Sequence, residues 1–219
     1  KTKANFKNKS CVMKRYFKNK KLLERNNVYS KDMEHDACGV GLVASTEGKK
    51  SREVVEYGIQ ALKAVWHRGA VDADGKTGDG AGIHVEIPKE FFKEKIEVTG
   101  HVYDNSEICI GMIFLPRNNY EAQESCRTIV EKELTQNDFN IYGWRQVPVN
   151  TKALGEKAEQ TRPEITQVLF RHNNQKLSGK SLEIKLYETR RKIENNVRQN
   201  HLDNFYICSF SSKSIIYKG

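Results

Sequence analysis

Cys38 combines a nucleophilic side chain with neighbours that leave room around it. Ala37 precedes it, and Gly39 and Gly41 follow, so a substrate can approach the backbone closely there. A cut between Ala37 and Cys38 would place a thiol and an α-amine on one residue. Because an α-amine has a pKa of about 7.7–8.0, it is partly neutral near pH 7 and can accept the thiol proton. The alternative role for a lone cysteine is that of a small buried thiol.

Residues 66–83, with the sequence WHRGAVDADGKTGDGAGI, form a second unusual segment that is rich in glycine and aspartate. Its Arg68 carries a permanent positive charge. Residues 75–77 (GKT) are similar to the end of a phosphate-binding loop, but Ala70 stands where that loop needs its first glycine, and the segment follows a predicted helix. This segment therefore does not predict nucleotide binding.

The chain is basic, with a formal net charge of +9, as in many nucleic-acid-binding proteins. Residues 1–31 carry eleven Lys or Arg residues and one acidic residue, so the remaining 188 residues sum to about −1. The segment of residues 1–37, called the leader here, has too few apolar residues to fold alone. We interpret it as a disordered basic tail, a removable propeptide or an organelle transit peptide. The body of the protein is not predicted to bind nucleic acid.

Helices and strands alternate along the rest of the chain. Predicted helices cover residues 51–66, 88–95, 119–135 and 181–198, the first of them capped by Ser51. Predicted strands cover residues 38–45, 83–87, 109–115, 141–147 and 165–171, and residues 205–210 and 214–217 are predicted to form a hairpin. The polar stretch 150–163 fits neither pattern. Alternation favours a parallel sheet and the closing hairpin favours an antiparallel one, so the pattern alone leaves α/β and α+β architectures open.

Four further cysteines are Cys11, Cys109, Cys126 and Cys208. No two of the five have the spacing of a metal site or a disulfide framework, so neither is predicted, and a reducing, cytoplasmic compartment is expected. The last three fall in strand or helix patterns and are expected to be core thiols. No stretch approaches the roughly 18 consecutive apolar residues of a membrane helix, so no membrane partner is predicted.

Several segments resemble one family. Residues 34–41 (EHDACGVG) and the long, highly specific motif of residues 66–83 closely resemble the start of the glutamate synthase large subunit. Residues 142–148 (YGWRQVP), 161–164 (TRPE) and 205–209 (FYICS) are similar to later parts of the same family. The resemblance is nearly continuous from residue 33 to the end of the chain.

This resemblance implies an α+β fold of the N-terminal-nucleophile hydrolase type, a four-layer αββα sandwich with two antiparallel sheets between helices. Members of this family begin with a class II glutamine amidotransferase domain behind a propeptide that is removed. Residues 1–37 match the propeptide together with extra targeting sequence. Residues 38–219 match the N-terminal part of the amidotransferase domain, and the chain is expected to be truncated inside that domain at its C-terminal end.

The resemblance also implies which residues act. Cys38 matches the family's nucleophile, which attacks the side-chain amide of glutamine and releases ammonia and then glutamate. Arg68 and Gly69 match the His-Arg-Gly loop beside that cysteine. The guanidinium there holds the surroundings of the thiolate positive, or anchors the loop by a salt bridge. The residues expected to shape the same pocket are Thr77, Asp79 and Gly80. The family's oxyanion donors and carboxylate-binding arginine have no matching motifs in residues 1–219.

For the whole protein, the resemblance implies a second reaction in which the ammonia reductively aminates 2-oxoglutarate. That reaction uses FMN and an iron–sulfur cluster in synthase domains of the same polypeptide, with a small NADPH-oxidising subunit or ferredoxin as the electron source. No cofactor or metal is expected within residues 1–219, where glutamine is the expected ligand. The compartment is the cytoplasm, or a plastid or other organelle if the leader is a transit peptide.

Two alternatives stay open at this point. Another class II amidotransferase, such as one that makes asparagine, glucosamine phosphate or a purine precursor, is disfavoured by the long insertion between residues 67–69 and 80–82. A non-enzymatic basic binding module is disfavoured by the charge distribution, which places the excess of basic residues in the leader.

Overall fold

The computed structural model describes residues 14–23, 25, 39–65 and 71–218. The chain divides into two compact units, Lys1–Cys38 and Gly39–Gly219. In the first unit, residues 14–23 are helical (α1), within the leader for which the sequence predicts disorder. These ten residues include five Lys or Arg and two Leu, which are good helix formers, and they contain no Gly or Pro. Most of their side chains are exposed.

The described part of the second unit contains five α-helices and six strands. The helices are α2 (Arg52–Ala64), α3 (Lys89–Val98), α4 (Tyr120–Gln136), α5 (Glu156–Thr161) and α6 (Gly179–Gln199), with a 3₁₀ turn at Thr151–Ala153. The strands are β1 (Gly82–Glu86), β2 (Cys109–Leu115), β3 (Phe139–Gln146), β4 (Glu164–His172), β5 (Tyr206–Ser211) and β6 (Ser214–Lys218). Ser51 caps α2 as predicted, since its hydroxyl accepts a hydrogen bond from the N–H of Val54 at 3.3 Å.

The strands form two antiparallel sheets. Four strands pair in the order β3–β4–β2–β5, and β1 pairs with β6 in a separate two-stranded sheet. Apolar side chains of α4 and α6 cover one face of the four-stranded sheet, while the two-stranded sheet and α3 contribute to the core on the other face. Helix α2 packs against β1. The prediction of an α+β fold with antiparallel sheets between helices is therefore confirmed.

The apolar residues that the sequence places on one side of a predicted helix are buried in the structure. Leu182, Leu186, Ile193 and Val197, predicted to share one stripe of α6, are all buried. Cys126 and Val130 of α4 are buried in the same cluster. Across the described residues, the helices are all too short or too polar to cross a membrane.

The hairpin predicted for residues 205–210 and 214–217 is wrong. Both strands exist, but β5 is an edge of the four-stranded sheet, whereas β6 pairs with β1. The turn between them therefore carries the chain from one sheet to the other. The Glu183 side chain fixes this turn, because its carboxylate accepts hydrogen bonds from the Ser211 hydroxyl at 2.9 Å and from the Ser212 N–H and hydroxyl at 2.9 and 2.8 Å. Pattern and turn length could not distinguish a hairpin from this sheet-to-sheet turn.

The buried strand predicted for residues 38–45 is also not found in the described residues of that segment, 39–45. They belong to no strand, and Val40 and Leu42 are 88% and 92% exposed. An extended segment becomes a strand only when a neighbour accepts and donates its backbone hydrogen bonds. Among the described strands, β1 pairs with β6 alone. An apolar run therefore predicted a strand for which the structure shows no partner.

Candidate active site

The structure describes half of the residues predicted for the site. Thr77, Asp79 and Gly80 lie in the loop between α2 and β1, whereas Cys38, Arg68 and Gly69 lie outside the described residues. The described neighbours of the latter group are Gly39, which follows Cys38, and Val65, which precedes the segment 66–70. Gly39 and Val65 are therefore the described residues next to these two segments in the chain.

Gly39 lies directly against Val65. A Cβ placed on Gly39 would be 3.1 Å from the Val65 Cβ and 3.2 Å from its Cγ2, which is tighter than ordinary van der Waals contact. Only a glycine lets the chain approach the end of α2 this closely without a shift. The residue after Cys38 therefore touches the residue that leads into the His-Arg-Gly segment, although the two are far apart in sequence.

The direction of α2 places this contact relative to β1. Lys50, just before the helix, pairs with Glu86 at the end of β1 at 2.5 Å. In the middle of the helix, Gly58 approaches the Ile83 side chain near the start of β1. Helix α2 therefore runs antiparallel to β1. Val65, at the C-terminal end of α2, lies near the N-terminal end of β1. Gly39 and the loop that enters β1 consequently share one end of the two-stranded sheet.

Residues 71–80, called the glycine-rich loop here, are closed at their base. Val71 and Gly78 form an antiparallel bridge, and the Asp72 N–H donates to the Thr77 carbonyl at 2.8 Å. A turn at the tip places Gly75 at a φ of +68°, a left-handed conformation that suits glycine. The bridge pairs Val71, which follows residues 66–70, with Gly78, which precedes Asp79. The chain on either side of the glycine-rich loop, towards residues 66–70 and towards Asp79, is therefore tied at this bridge.

Asp74 holds the tip of the glycine-rich loop. Its carboxylate accepts hydrogen bonds from the Thr77 hydroxyl at 2.5 Å, the Thr77 N–H at 2.7 Å and the Lys76 N–H at 2.9 Å. These donors, with the Thr77 hydroxyl as the largest cause, stabilise the charged form and lower the pKa of Asp74 to about 2. The carboxylate is therefore ionised throughout the neutral range and acts as a structural acceptor.

These contacts define what each described residue can do. The Thr77 hydroxyl already donates its proton to Asp74, so it can only accept a hydrogen bond from a ligand. Asp79 is exposed at a bend, where its carboxylate can accept hydrogen bonds from a cationic or amide group. Gly80 has a φ of +89°, a conformation that lets the backbone turn sharply before β1.

The structure also places the other family-like motifs. In the motif of residues 142–148, the Trp144 N–H donates to Glu131 of α4 at 2.7 Å, and Arg145 donates to Gln167 of β4 at 2.7 Å. These contacts bind β3 to its neighbours and are structural. In residues 161–164, Arg162 donates to Glu159 of α5 at 3.1 Å. Helix α5 also meets the glycine-rich loop, so two of the motifs come together there.

Sequence reasoning missed the part that α5 plays. Gly155, at the N-terminus of α5, lies against Asp74 and Thr77, yet residues 150–163 showed no clear pattern in the sequence. Gly155 is the N-cap of α5 and has no side chain that could accept from the helix N–H groups. Glycine is common at N-caps, so this position gave no signal in the sequence.

The three cysteines of the second unit behave as predicted. Cys109, Cys126 and Cys208 are free and buried. Burial disfavours the charged thiolate, so the pKa of Cys126 rises to about 11, and the pKa values of Cys109 and Cys208 are raised as well. None of them has the low pKa or the exposure that a reactive thiol needs. The prediction that they are core thiols is confirmed.

Brief treatment of the native protein with iodoacetamide at pH 8 is therefore expected to spare Cys109, Cys126 and Cys208. A thiol with a pKa of about 11, such as Cys126, is ionised in only about one molecule in a thousand at that pH. Mass spectrometry of the digested protein measures the labelling, and the same treatment in denaturant is the control that should label all three. Labelling of any of them at equal rates in both conditions would contradict their burial.

The described residues contain no group of three or more His, Cys, Asp or Glu side chains that could hold a metal ion.

Several known proteins resemble this chain in sequence. The family of class II glutamine amidotransferases matches residues 38–219. The chain is 55% identical to the large chain of an NADPH glutamate synthase from Azospirillum brasilense over 193 residues, which are 88% of this chain and 13% of that protein. It is 36% identical to a ferredoxin-dependent glutamate synthase from Pyropia yezoensis over 203 residues, 91% of this chain and 13% of that protein. A Bacillus subtilis NADPH glutamate synthase large chain is 35% identical over 196 residues, 88% of this chain and 12% of that protein.

The chain therefore belongs to the class II glutamine amidotransferases, and this match begins at Cys38. Its similarity to glutamate synthases confirms the family resemblance that the motifs predicted. The chain spans about one eighth of the length of these relatives.

Proposed function

We propose that this chain carries the glutaminase site of a glutamate synthase, with Cys38 as the nucleophile. The contact of Gly39 with Val65 supports this assignment, because it brings the neighbour of Cys38 to the neighbour of the segment that contains Arg68. A family match that begins at Cys38 supports the same residue. A non-enzymatic basic binding module has no comparable support, since the basic excess lies in residues 1–31.

The proposed reaction needs a free amine on Cys38, and therefore removal of residues 1–37. The α-amine accepts the thiol proton, and the thiolate attacks the side-chain amide carbon of glutamine. The resulting oxyanion collapses to a γ-glutamyl thioester, and the departing nitrogen takes a proton from the terminal ammonium and leaves as ammonia. Water then attacks the thioester, releasing glutamate and restoring the thiol.

The other predicted residues receive supporting roles in this proposal. Arg68 and Gly69 match the family's His-Arg-Gly loop, in which the guanidinium favours the thiolate or anchors the loop. Thr77, Asp79 and Gly80 shape the pocket from the glycine-rich loop, whose base also receives the chain from residues 66–70. The hydrogen bond from Thr77 to Asp74 supports a shaping role for Thr77 over a direct one.

For the whole protein, we propose that the ammonia passes to synthase domains of the same polypeptide, where 2-oxoglutarate is reductively aminated to glutamate. FMN and an iron–sulfur cluster would belong to those domains. The names of the relatives include both NADPH and ferredoxin forms, so the electron source is a small NADPH-oxidising subunit or ferredoxin. A chloroplast form occurs among them, and bacterial forms do as well. The compartment is therefore the cytoplasm or, with a transit peptide, a plastid.

An electrophilic glutamine analogue tests the assignment directly. In the full-length enzyme, the analogue 6-diazo-5-oxonorleucine is expected to form a covalent adduct on Cys38 and to stop ammonia release from glutamine. An excess of glutamine should protect against labelling, because both compounds use one pocket. Peptide mass spectrometry locates the adduct, with the buried Cys126 as an internal control. An adduct on another residue, or inactivation without an adduct on Cys38, would contradict the proposal.

A further inference from the structure

The tip of the glycine-rich loop docks on the start of α5 through a contact that only glycine permits. A Cβ placed on Gly155 would lie 2.2 Å from both the Asp74 Oδ2 and the Thr77 Oγ1, and 2.7 Å from the Thr77 backbone nitrogen. These distances are far below any van der Waals contact, so a side chain at position 155 would displace the loop. The contact therefore depends on one hydrogen atom in place of a methyl group.

Asp74 also lies at the start of α5. The first N–H groups of a helix have no partner within the helix, and at α5 no cap side chain accepts from them. The Glu156 backbone N–H is the smallest of the influences that lower the pKa of Asp74, after those of Thr77 and Lys76. Lys157 adds an ion pair with Asp72 at 2.5 Å, although its exposed position makes this pair a minor contributor.

Helix α5 is in turn held by the four-stranded sheet. Glu159 accepts a hydrogen bond from Arg117, which follows β2, at 2.6 Å, and another from Arg162, which precedes β4, at 3.1 Å. The two guanidinium groups, Arg162 first, lower the pKa of Glu159. A continuous set of contacts therefore runs from the sheet through α5 to the tip of the glycine-rich loop.

We propose that α5 is the platform that positions the glycine-rich loop, and that Gly155 and Asp74 are positioning residues of the glutaminase site. Pinning the tip of the loop to α5 fixes its base, the Val71–Gly78 bridge, from which the chain continues to residues 66–70 on one side and to Asp79 on the other. Neither residue needs to touch glutamine for this effect. The inference rests on the proposed function and adds the residues that set the geometry of that site.

Replacing Gly155 by alanine in the full-length enzyme is the central test. The glutaminase kcat/KM is expected to fall by about 10- to 100-fold, since displacements of about 1 Å at a site can have effects of that size. Labelling of Cys38 by 6-diazo-5-oxonorleucine should slow by a similar factor. Alkylation of Cys38 by iodoacetamide, which needs no glutamine pocket, should slow by a clearly smaller factor, because the thiol and its amine are untouched and only a shift of Arg68 reaches them.

Gly58→Ala is the matched control, since its added Cβ would meet only the Ile83 Cδ1 at 3.5 Å, an ordinary contact. It should keep wild-type kinetics in all three measurements. Equal kcat/KM for Gly155→Ala and Gly58→Ala would overturn the inference, as would a parallel loss of iodoacetamide reactivity in Gly155→Ala.

If Gly155→Ala does not fold, Asp74→Ala and Asp72→Ala decide, because only Asp74 accepts the hydrogen bonds from Thr77. Equal rates for these two would overturn the inference, and a lower rate for Asp74→Ala alone would support it. Absence of ammonia release from the wild-type enzyme would instead contradict the proposed function.

Discussion

Replacing Cys38 by alanine in the full-length enzyme is expected to reduce glutamine-dependent glutamate formation by more than about 10⁴-fold, because the covalent step loses its nucleophile. Glutamate formation from a high concentration of external ammonia is expected to persist, because the proposed reductive amination takes place at a separate site. Both rates are measured on one preparation, with glutamine and with an ammonium salt as the nitrogen source. The ratio of the two rates isolates the glutaminase step.

Cys208→Ala is the control for this experiment. Cys208 is buried in β5 with a raised pKa, and its thiol contacts the Ile216 carbonyl at 3.6 Å. Removing the sulfur should lower the free energy of unfolding by about 1 kcal/mol, in the usual range for a single substitution. Both rates per folded molecule should stay unchanged. Equal loss of both activities in a correctly folded Cys38→Ala enzyme would show that Cys38 does not serve the glutaminase step.

The parts of the fold that sequence could predict are those decided by local pattern. The stripe of Leu182, Leu186 and Ile193 predicted the buried face of α6, because residues three or four apart share one side of a helix wherever that helix packs. The pairing of the strands into two sheets could not be predicted from local pattern alone. The same short turn after β5 could close a hairpin or pass the chain to another sheet, and the turn that forms is held by Glu183, which lies in the distant helix α6.

In the candidate site, too, local sequence motifs could be predicted and contacts between distant residues could not. The long motif of residues 66–83 was specific enough to predict the family, because it is read as a string of residues. The contact between Gly39 and Val65 and the docking of Asp74 on Gly155 join distant positions, so no local pattern carries them. Glycines at such contacts have no side chain that suggests a role. Their importance becomes visible only when the neighbouring atoms are known, as at Gly155.

The same limit explains why a strand was predicted for residues 38–45, although the described residues 39–45 form none. Val40 and Leu42 have the composition of a buried strand, but burial needs a neighbouring element to cover them. The structure instead places this segment against the C-terminal half of α2, where Gly41 approaches Ala61. Gly39 and Gly41 face the helix, whereas Val40 and Leu42 are exposed.

Retention of the leader is expected to keep the enzyme inactive as a glutaminase until the chain is cut before Cys38. In the uncut chain, the nitrogen of Cys38 is an amide, which has no free lone pair to accept the thiol proton. A positioned general base contributes typically about 10²- to 10⁴-fold to a rate, so exposure of the α-amine should raise ammonia release by a factor in that range. The measurement uses a full-length enzyme in which a specific protease site replaces the residues before Cys38. Ammonia release from glutamine is followed before and after cutting.

Moving the protease site by one residue provides the matched control for this prediction. Cutting then leaves a single glycine in front of Cys38, so the chain loses its leader but the free amine lies one residue away from the thiol. This enzyme should remain close to the uncut rate, because an amine displaced by a whole residue cannot take the thiol proton with the same geometry. Full activation by both cuts would show that the leader blocks access to the site sterically. Full activity of the uncut chain would show that Cys38 needs no free amine.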